Sequence, residues 1–105
     1  MEPKEKEIQL AICEYLTARG VFFWRQNTAP IFDTKANRYR PMPKYSMTGV
    51  PDIIVIRDGI FVGIEVKRLE GKLSDSQKAF KEKCLESGAE YHVVSSIDDV
   101  EKIGL

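Results

Sequence analysis

Two apolar runs on either side of Asp58-Gly59 constrain this chain more than any other feature. The first is Asp52 to Arg57 (DIIVIR), the second Ile60 to Lys67 (IFVGIEVK). Both have the length and the β-branched content of strands. Asp-Gly is a two-residue hairpin signal, because both central residues of such a turn need positive φ. Each arm is apolar on both of its faces. A hairpin of that kind belongs at the centre of a sheet covered on two sides.

The rest of the chain supplies the cover. Residues 4–19 read as a helix, with Ile8, Ala11, Ile12, Tyr15 and Leu16 at helical spacing and Gly20 as its stop. Val21 to Arg25 is a short β-branched and aromatic run, hence a strand, and Trp24 within it reads as core. Residues 26–51 hold four of the five prolines and show no clear period, the mark of a long loop that is functional or mobile. Ser74 to Ser87 is a helix with Ala79, Phe80, Lys83 and Cys84 on its inner face and Gly88 as its stop. Tyr91 to Ser95 is a strand, and Ile97 to Ile103 a short closing helix with Asp98 and Asp99 at its positive end. The order αβββαβα implies an α/β or α+β fold, a mixed sheet flanked by helices. At 105 residues the chain makes one domain, 1–105.

Register arithmetic turns the hairpin into a site. With a two-residue turn, Arg57 pairs with Ile60, and counting back sets Asp52 opposite Glu65. Opposed residues have Cβ atoms about 5 Å apart on one face. Lys67, two residues beyond Glu65, shares that face. Like charges opposed on a sheet repel. A divalent cation is the natural compensator, since Mg²⁺ is often held by one or two carboxylates. Lys67 alone could also neutralise the acids, or a longer turn could slip the register and send one acid to solvent.

Net charge and charge distribution point in different directions. Sixteen cations and sixteen acids cancel, which by itself argues against a nucleic-acid binder. The distribution is uneven. Between Arg19 and Pro51 lie six cations (Arg19, Arg25, Lys35, Arg38, Arg40, Lys44) against Asp33 alone. That segment is a candidate footprint for a polyanion, or else a solvated loop of chance composition. Phe32, Tyr39 and Tyr45 are interleaved with Lys35, Arg38, Arg40 and Lys44, as in a DNA-contacting loop whose aromatics stack on unpaired bases or anchor the loop to the domain. Cys13 and Cys84 lack zinc spacing and read as inert helix positions, and His92 is the only histidine. No run approaches a membrane span, and Met1 to Gln9 carries no apolar leader core, so a reduced intracellular (cytoplasmic) protein is expected.

Gly49-Val50-Pro51-Asp52 followed by Glu65-Val66-Lys67 resembles the PD-(D/E)XK nuclease signature. The short interval between the two halves, and the rest of the chain, resemble the VRR-NUC family of virus-type replication-repair nucleases. The resemblance extends over nearly the whole chain. It takes in Glu7-Ile8-Gln9, Trp24-Arg25-Gln26-Asn27, Thr48 to Asp52, Gly63 to Lys67 and Ser74-Asp75-Ser76-Gln77. It implies a restriction-endonuclease-like fold and a metal-dependent DNA endonuclease, structure-specific for Holliday-junction or branched DNA. Stand-alone relatives are often phage-encoded, and some act as homodimers in replication, recombination or repair.

By that resemblance Asp52 and Glu65 would bind Mg²⁺ or Mn²⁺, with the Val66 carbonyl as a further ligand. Lys67 would orient or help deprotonate the attacking water. Glu7 would complete the acidic cluster, with Glu5 as its rival, and Gln77 would contact the lysine or the phosphate. Each also has a plainer role: Gln77 in a capping box with Ser74, Glu7 as a first-turn acid. Arg25 and Asn27 leave their strand near the basic loop, where they could touch phosphate. The competing readings are a non-cleaving DNA- or partner-binding module of the same fold, and a flap, nicking or mismatch nuclease. Ile31, Phe32, Met42 and Met47 are candidates for a dimer face or for burial.

Overall fold

A computed structural model describes residues 2–26 and 32–105. Asn27 and Ile31, named above, lie outside the described residues. Helix α1 (Glu5–Ala18) leads into strand β1 (Phe23–Arg25). Two short strands follow, β2 (Phe32–Asp33) and β3 (Arg38–Tyr39), then the central pair β4 (Ile53–Arg57) and β5 (Ile60–Val66). Helix α2 (Asp75–Glu86), strand β6 (Glu90–Val94) and helix α3 (Ile97–Lys102) complete the order.

The main sheet runs β1-β4-β5-β6. β5 and β6 are parallel and the other pairs antiparallel, so the sheet is mixed. The expected hairpin is central, and its register is the one the two-residue turn dictates: Arg57 faces Ile60 and Ile53 faces Ile64. Asp58 and Gly59 both take the positive φ this turn demands.

One face of the sheet carries the main core. Ile53 and Val55 of β4, Val62, Ile64 and Val66 of β5 and Val94 of β6 are closed over by Ile8, Ile12 and Leu16 of α1 and by Val100. Each such side chain contributes about 1.5–3 kcal/mol through its removal from water. Cys13 and Cys84 are buried free thiols, as expected, and burial raises both above the usual thiol range.

The opposite face is covered more lightly, by α2 and by Pro51. Phe80 and Cys84 turn inward, but Ala79 and Lys83, expected inside, are exposed. The helix is short of apolar residues, so its inward face narrows to those two with the half-buried Gln77 and Lys81. Phe80 stands between Phe61 and Tyr91, with ring centroids 6.5 Å from each. Two glycines allow the close approach of the segment before β4. A Cβ on Gly63 would lie 2.6 Å from the Pro51 ring. A Cβ on Gly49 would lie 2.2 Å from the Ser76 carbonyl oxygen, and Gly49 has φ +77°. Gly49→Ala therefore meets both a backbone clash and an unfavourable φ. A loss of about 2 kcal/mol or more in urea unfolding is expected, and an unchanged midpoint would show that the contact is not rigid.

Two further expectations need correction. The stretch 26–51 is not wholly irregular, because β2 and β3 pair as a small hairpin. Asp33 Oδ1 accepts the Lys35 and Ala36 N–H groups, and Asn37 takes φ 53° to close the turn. Two-residue strands have no period that a sequence can display. Trp24 is not core: it is 40% exposed and its Nε1 donates to Gln26 Oε1 at 3.0 Å. β1 is an edge strand, and its neighbour Phe23 takes the core-facing position. Trp24 points to the α2 side, with which β1 has no substantial packing.

Candidate functional site

The acidic pair forms at the open end of the central hairpin. β4 begins at Ile53, so Asp52 stands one residue before it, opposite Glu65 by continuation of the register. Asp52 Oδ2 accepts the Val66 N–H at 2.8 Å, which fixes the carboxylate across the two arms. The Asp52 carbonyl accepts the Gln26 N–H at 2.8 Å, so β1 closes the other side. Lys67 lies just beyond β5, its N–H bonded to the Val94 carbonyl at 2.9 Å. Asp52, Glu65 and Lys67 are thus brought together on the α2 face.

Glu65 is the anomalous member. It is 2% exposed, and its Oε1 has no hydrogen-bond partner among the described residues. Burial, reinforced by Asp52, raises its pKa far above the usual carboxylate range, and the positive charge of Lys67 only partly offsets this. Burial beside a second carboxylate disfavours the charged form, and a cation there would favour it. The donor set therefore fits a hard divalent ion: two facing carboxylates, one with an unsatisfied oxygen. Among the described residues no three His, Cys, Asp or Glu side chains come together as a ready-made cage. A cation here would draw the rest of its ligands from backbone, water or substrate, as Mg²⁺ commonly does.

The other sequence candidates are placed as follows. Glu7 is exposed, its carboxylate accepts the Lys4 N–H at 3.3 Å, and it lines a cavity of about 350 Å³ with Ile8, Ser95 and Asp98. Glu5, its rival, is the α1 acid whose charge bears on Glu65. Gln77 closes the capping box with Ser74: its Oε1 accepts the Ser74 N–H at 2.9 Å, and its own N–H donates to Ser74 Oγ at 3.2 Å. The same turn abuts Gly49, which seats the segment carrying Asp52 against α2. Arg25 turns to the α1 side, where its Nε donates to Gln9 Oε1 at 2.7 Å.

Lys35, Arg38, Arg40 and Lys44 are all exposed on or beside the β2–β3 hairpin. Its aromatics do not anchor it to the core. Tyr45 is 89% exposed with the Lys44 ammonium over its ring, and Phe32 and Tyr39 pack edge-to-face on each other. Phe32, Met42 and Met47 are exposed rather than buried. Sequence reasoning missed Tyr91. It is 5% exposed beside Glu65, and it read simply as part of a strand.

A mixed sheet with a carboxylate pair and a lysine at the end of its central hairpin, helices on both faces, is the architecture of the PD-(D/E)XK class. The VRR-NUC domain model matches residues 31–98, and the chain belongs to the VRR-NUC family of nuclease domains. That span includes Asp52, Glu65, Lys67 and Gln77, and begins after α1 and β1. Two solved structures share the fold. One, a VRR_NUC domain, is 25% identical, with a TM-score of 0.66 over 94% of this chain and 91% of its own. The other, a VRR_NUC domain protein, is 19% identical, with a TM-score of 0.69 over 98% of this chain and 86% of its own, and speaks for the fold alone. No curated protein matches the chain.

Proposed function

We propose that this protein is a metal-dependent endonuclease that hydrolyses phosphodiester bonds of branched DNA, such as a Holliday junction. The observation that carries this reading is the facing of Asp52 and buried Glu65, with Lys67 on the same side, where the basic arm joins the sheet. Asp52 and Glu65 would hold Mg²⁺ or Mn²⁺, assisted by the Val66 carbonyl. Of the two α1 acids, Glu5 has the stronger claim over Glu7 to support them, because its charge is the one that reaches Glu65. The cation would supply Lewis-acid polarisation of the phosphoryl group and ease ionisation of the attacking water.

The chain's own groups do the rest. Lys67 places a cation beside the acids, where it orients the attacking water and steadies charge developing on phosphate. Gln77 holds the α2 turn that backs Gly49, and thereby keeps Asp52 in register. Lys35, Arg38, Arg40 and Lys44 engage the phosphate backbone without reading sequence. Tyr39 and Tyr45 offer stacking faces to unpaired bases at a branch. Trp24 and Phe22, exposed on the same side of the sheet as Asp52, extend that surface. Symmetrical resolution of a junction needs two active sites and hence a homodimer, for which exposed Phe32, Met42 and Met47 are available. An intracellular setting, in replication or repair of host or phage DNA, belongs to the same reading. No helix among the described residues is long and apolar enough to cross a membrane.

The test uses end-labelled four-way junction, flap, single-stranded and linear duplex DNA with Mg²⁺, Mn²⁺ or EDTA. Junction cutting that requires metal is expected. Binding is followed through Trp24, the only tryptophan, whose emission a stacked base should quench. Affinity should fall steeply with salt, as phosphate contacts displace counterions. Quenching without cutting under every metal condition would leave a recognition module of this fold. Preferred cutting of flaps or nicking of duplex would replace the resolvase assignment.

A further inference from the structure

Two buried polar atoms in this protein lack hydrogen-bond partners among the described residues: Glu65 Oε1 and the Tyr91 hydroxyl. They lie close to each other. β6 runs parallel to β5 with Gly63 against Tyr91 and Glu65 against Val93. Tyr91 therefore lies on the α2 face, one alternation back from Glu65. Phe80 tilts against its ring at 6.5 Å and 48°, which holds the ring in place. The hydroxyl lies close enough to Glu65 and Asp52 to feel both carboxylates, yet it makes no hydrogen bond of full geometry.

Burying a hydroxyl without a partner is unfavourable, and native proteins hold few such groups. A phenylalanine would fill the same space beside Phe80 without that cost. The waste disappears if the pair is complete in another state. A tyrosine donates one hydrogen bond, and an ionised carboxylate accepts several. A Glu65 carboxylate oriented toward a cation would present Oε1, itself unpartnered here, to the Tyr91 hydroxyl.

We propose that Tyr91 is a positioning residue for Glu65, its hydroxyl donating to Oε1 when the carboxylate is engaged with a divalent cation. This rests on the metal-dependent reading above. Groups that hydrogen-bond to metal-binding carboxylates fix their orientation, and their loss typically weakens metal affinity about tenfold to a hundredfold. Tyr91 would act on Glu65 alone and touch neither the cation nor the DNA.

The test is Tyr91→Phe in the full chain, with Mn²⁺ affinity measured by calorimetry and by the electron paramagnetic resonance signal of free Mn²⁺. About tenfold weaker binding or more is expected. The Mn²⁺ concentration for half-maximal cleavage should rise in parallel. Unfolding in EDTA should be unchanged or improved, since the variant removes an unpaired hydroxyl; a merely structural tyrosine would show the reverse pattern. Mn²⁺ affinity within twofold of wild type overturns the role of Tyr91 and leaves the metal site standing. A wild-type chain that binds no Mn²⁺ overturns both. Should Tyr91→Phe fail to fold, wild-type protein labelled at the tyrosine Cζ carbons gives the same decision. The Tyr91 resonance must shift on saturation with Mg²⁺, and an unmoved resonance overturns the proposal.

Discussion

Asp52→Asn is expected to fold like the wild type and to cut DNA about a thousandfold more slowly or worse. Both halves of that result follow from the structure. Asp52 Oδ2 accepts the Val66 N–H at 2.8 Å, and the amide oxygen of asparagine can accept the same bond. The sheet therefore closes as before. What is lost is the negative charge that, with Glu65, makes the pocket attractive to a divalent cation. Lys67→Ala should also fold, since the Lys67 backbone rather than its side chain bonds to Val94. Its cleavage should fall by about a hundredfold to ten-thousandfold, the range for a group that handles a proton in the reaction. Circular dichroism would confirm the fold of each variant and a gel assay would read the rate. Activity within tenfold of wild type in Asp52→Asn would remove this pair from the chemistry.

Glu65→Gln is expected to stabilise the metal-free protein, and by more at higher pH. Glu65 is buried beside Asp52, so its folded pKa is raised far above that of an exposed glutamate. In the unfolded chain it ionises near the ordinary value. Between those two values the folded state carries a proton that the unfolded state has released. Stability then declines as pH rises through this window, by about 1.4 kcal/mol per unit. The glutamine of the variant presents an amide donor toward Asp52 much as the protonated glutamate does, but has no proton to lose. The stability gap between the two proteins should therefore open from about pH 5 upward and widen through neutrality. Urea unfolding in EDTA at several pH values measures it directly. A gap independent of pH would mean that Glu65 is ionised in the folded protein. Added Mn²⁺ should favour the wild type alone, and increasingly so as pH rises, because binding expels the proton.

Much of this was written in the central hairpin. A two-residue Asp-Gly turn leaves one register, and that register alone put Asp52 opposite Glu65 with Lys67 on their face. The α1 stripe was legible because its apolar spacing is set by the helix period. Trp24 was misread because hydrophobicity does not say which end of a sheet a helix will cover. Ala79 and Lys83 were misread on a helix with too few apolar residues to define its own inner face. The β2–β3 hairpin escaped notice because its order comes from Asp33 and Asn37 turn geometry rather than from a strand pattern. Tyr91 was invisible as part of the site, since it reaches Glu65 only through the parallel pairing of two strands separated by a helix. The choice between Glu5 and Glu7 turns on the phase of α1 against the sheet end, which spacing within the helix cannot supply.

The hydrogen bond that locks Asp52 to Val66 joins residues only 14 apart in the chain. Loops that short close rapidly and with little entropic penalty. The acidic pair is thus a local assembly held within one hairpin, flanked by β6 from a distant part of the chain. Its carboxylates are expected to meet before β6 and α2 dock and bury them. The slow step in folding this protein should then be the long-range docking of its last third rather than the pairing of Asp52 with Glu65.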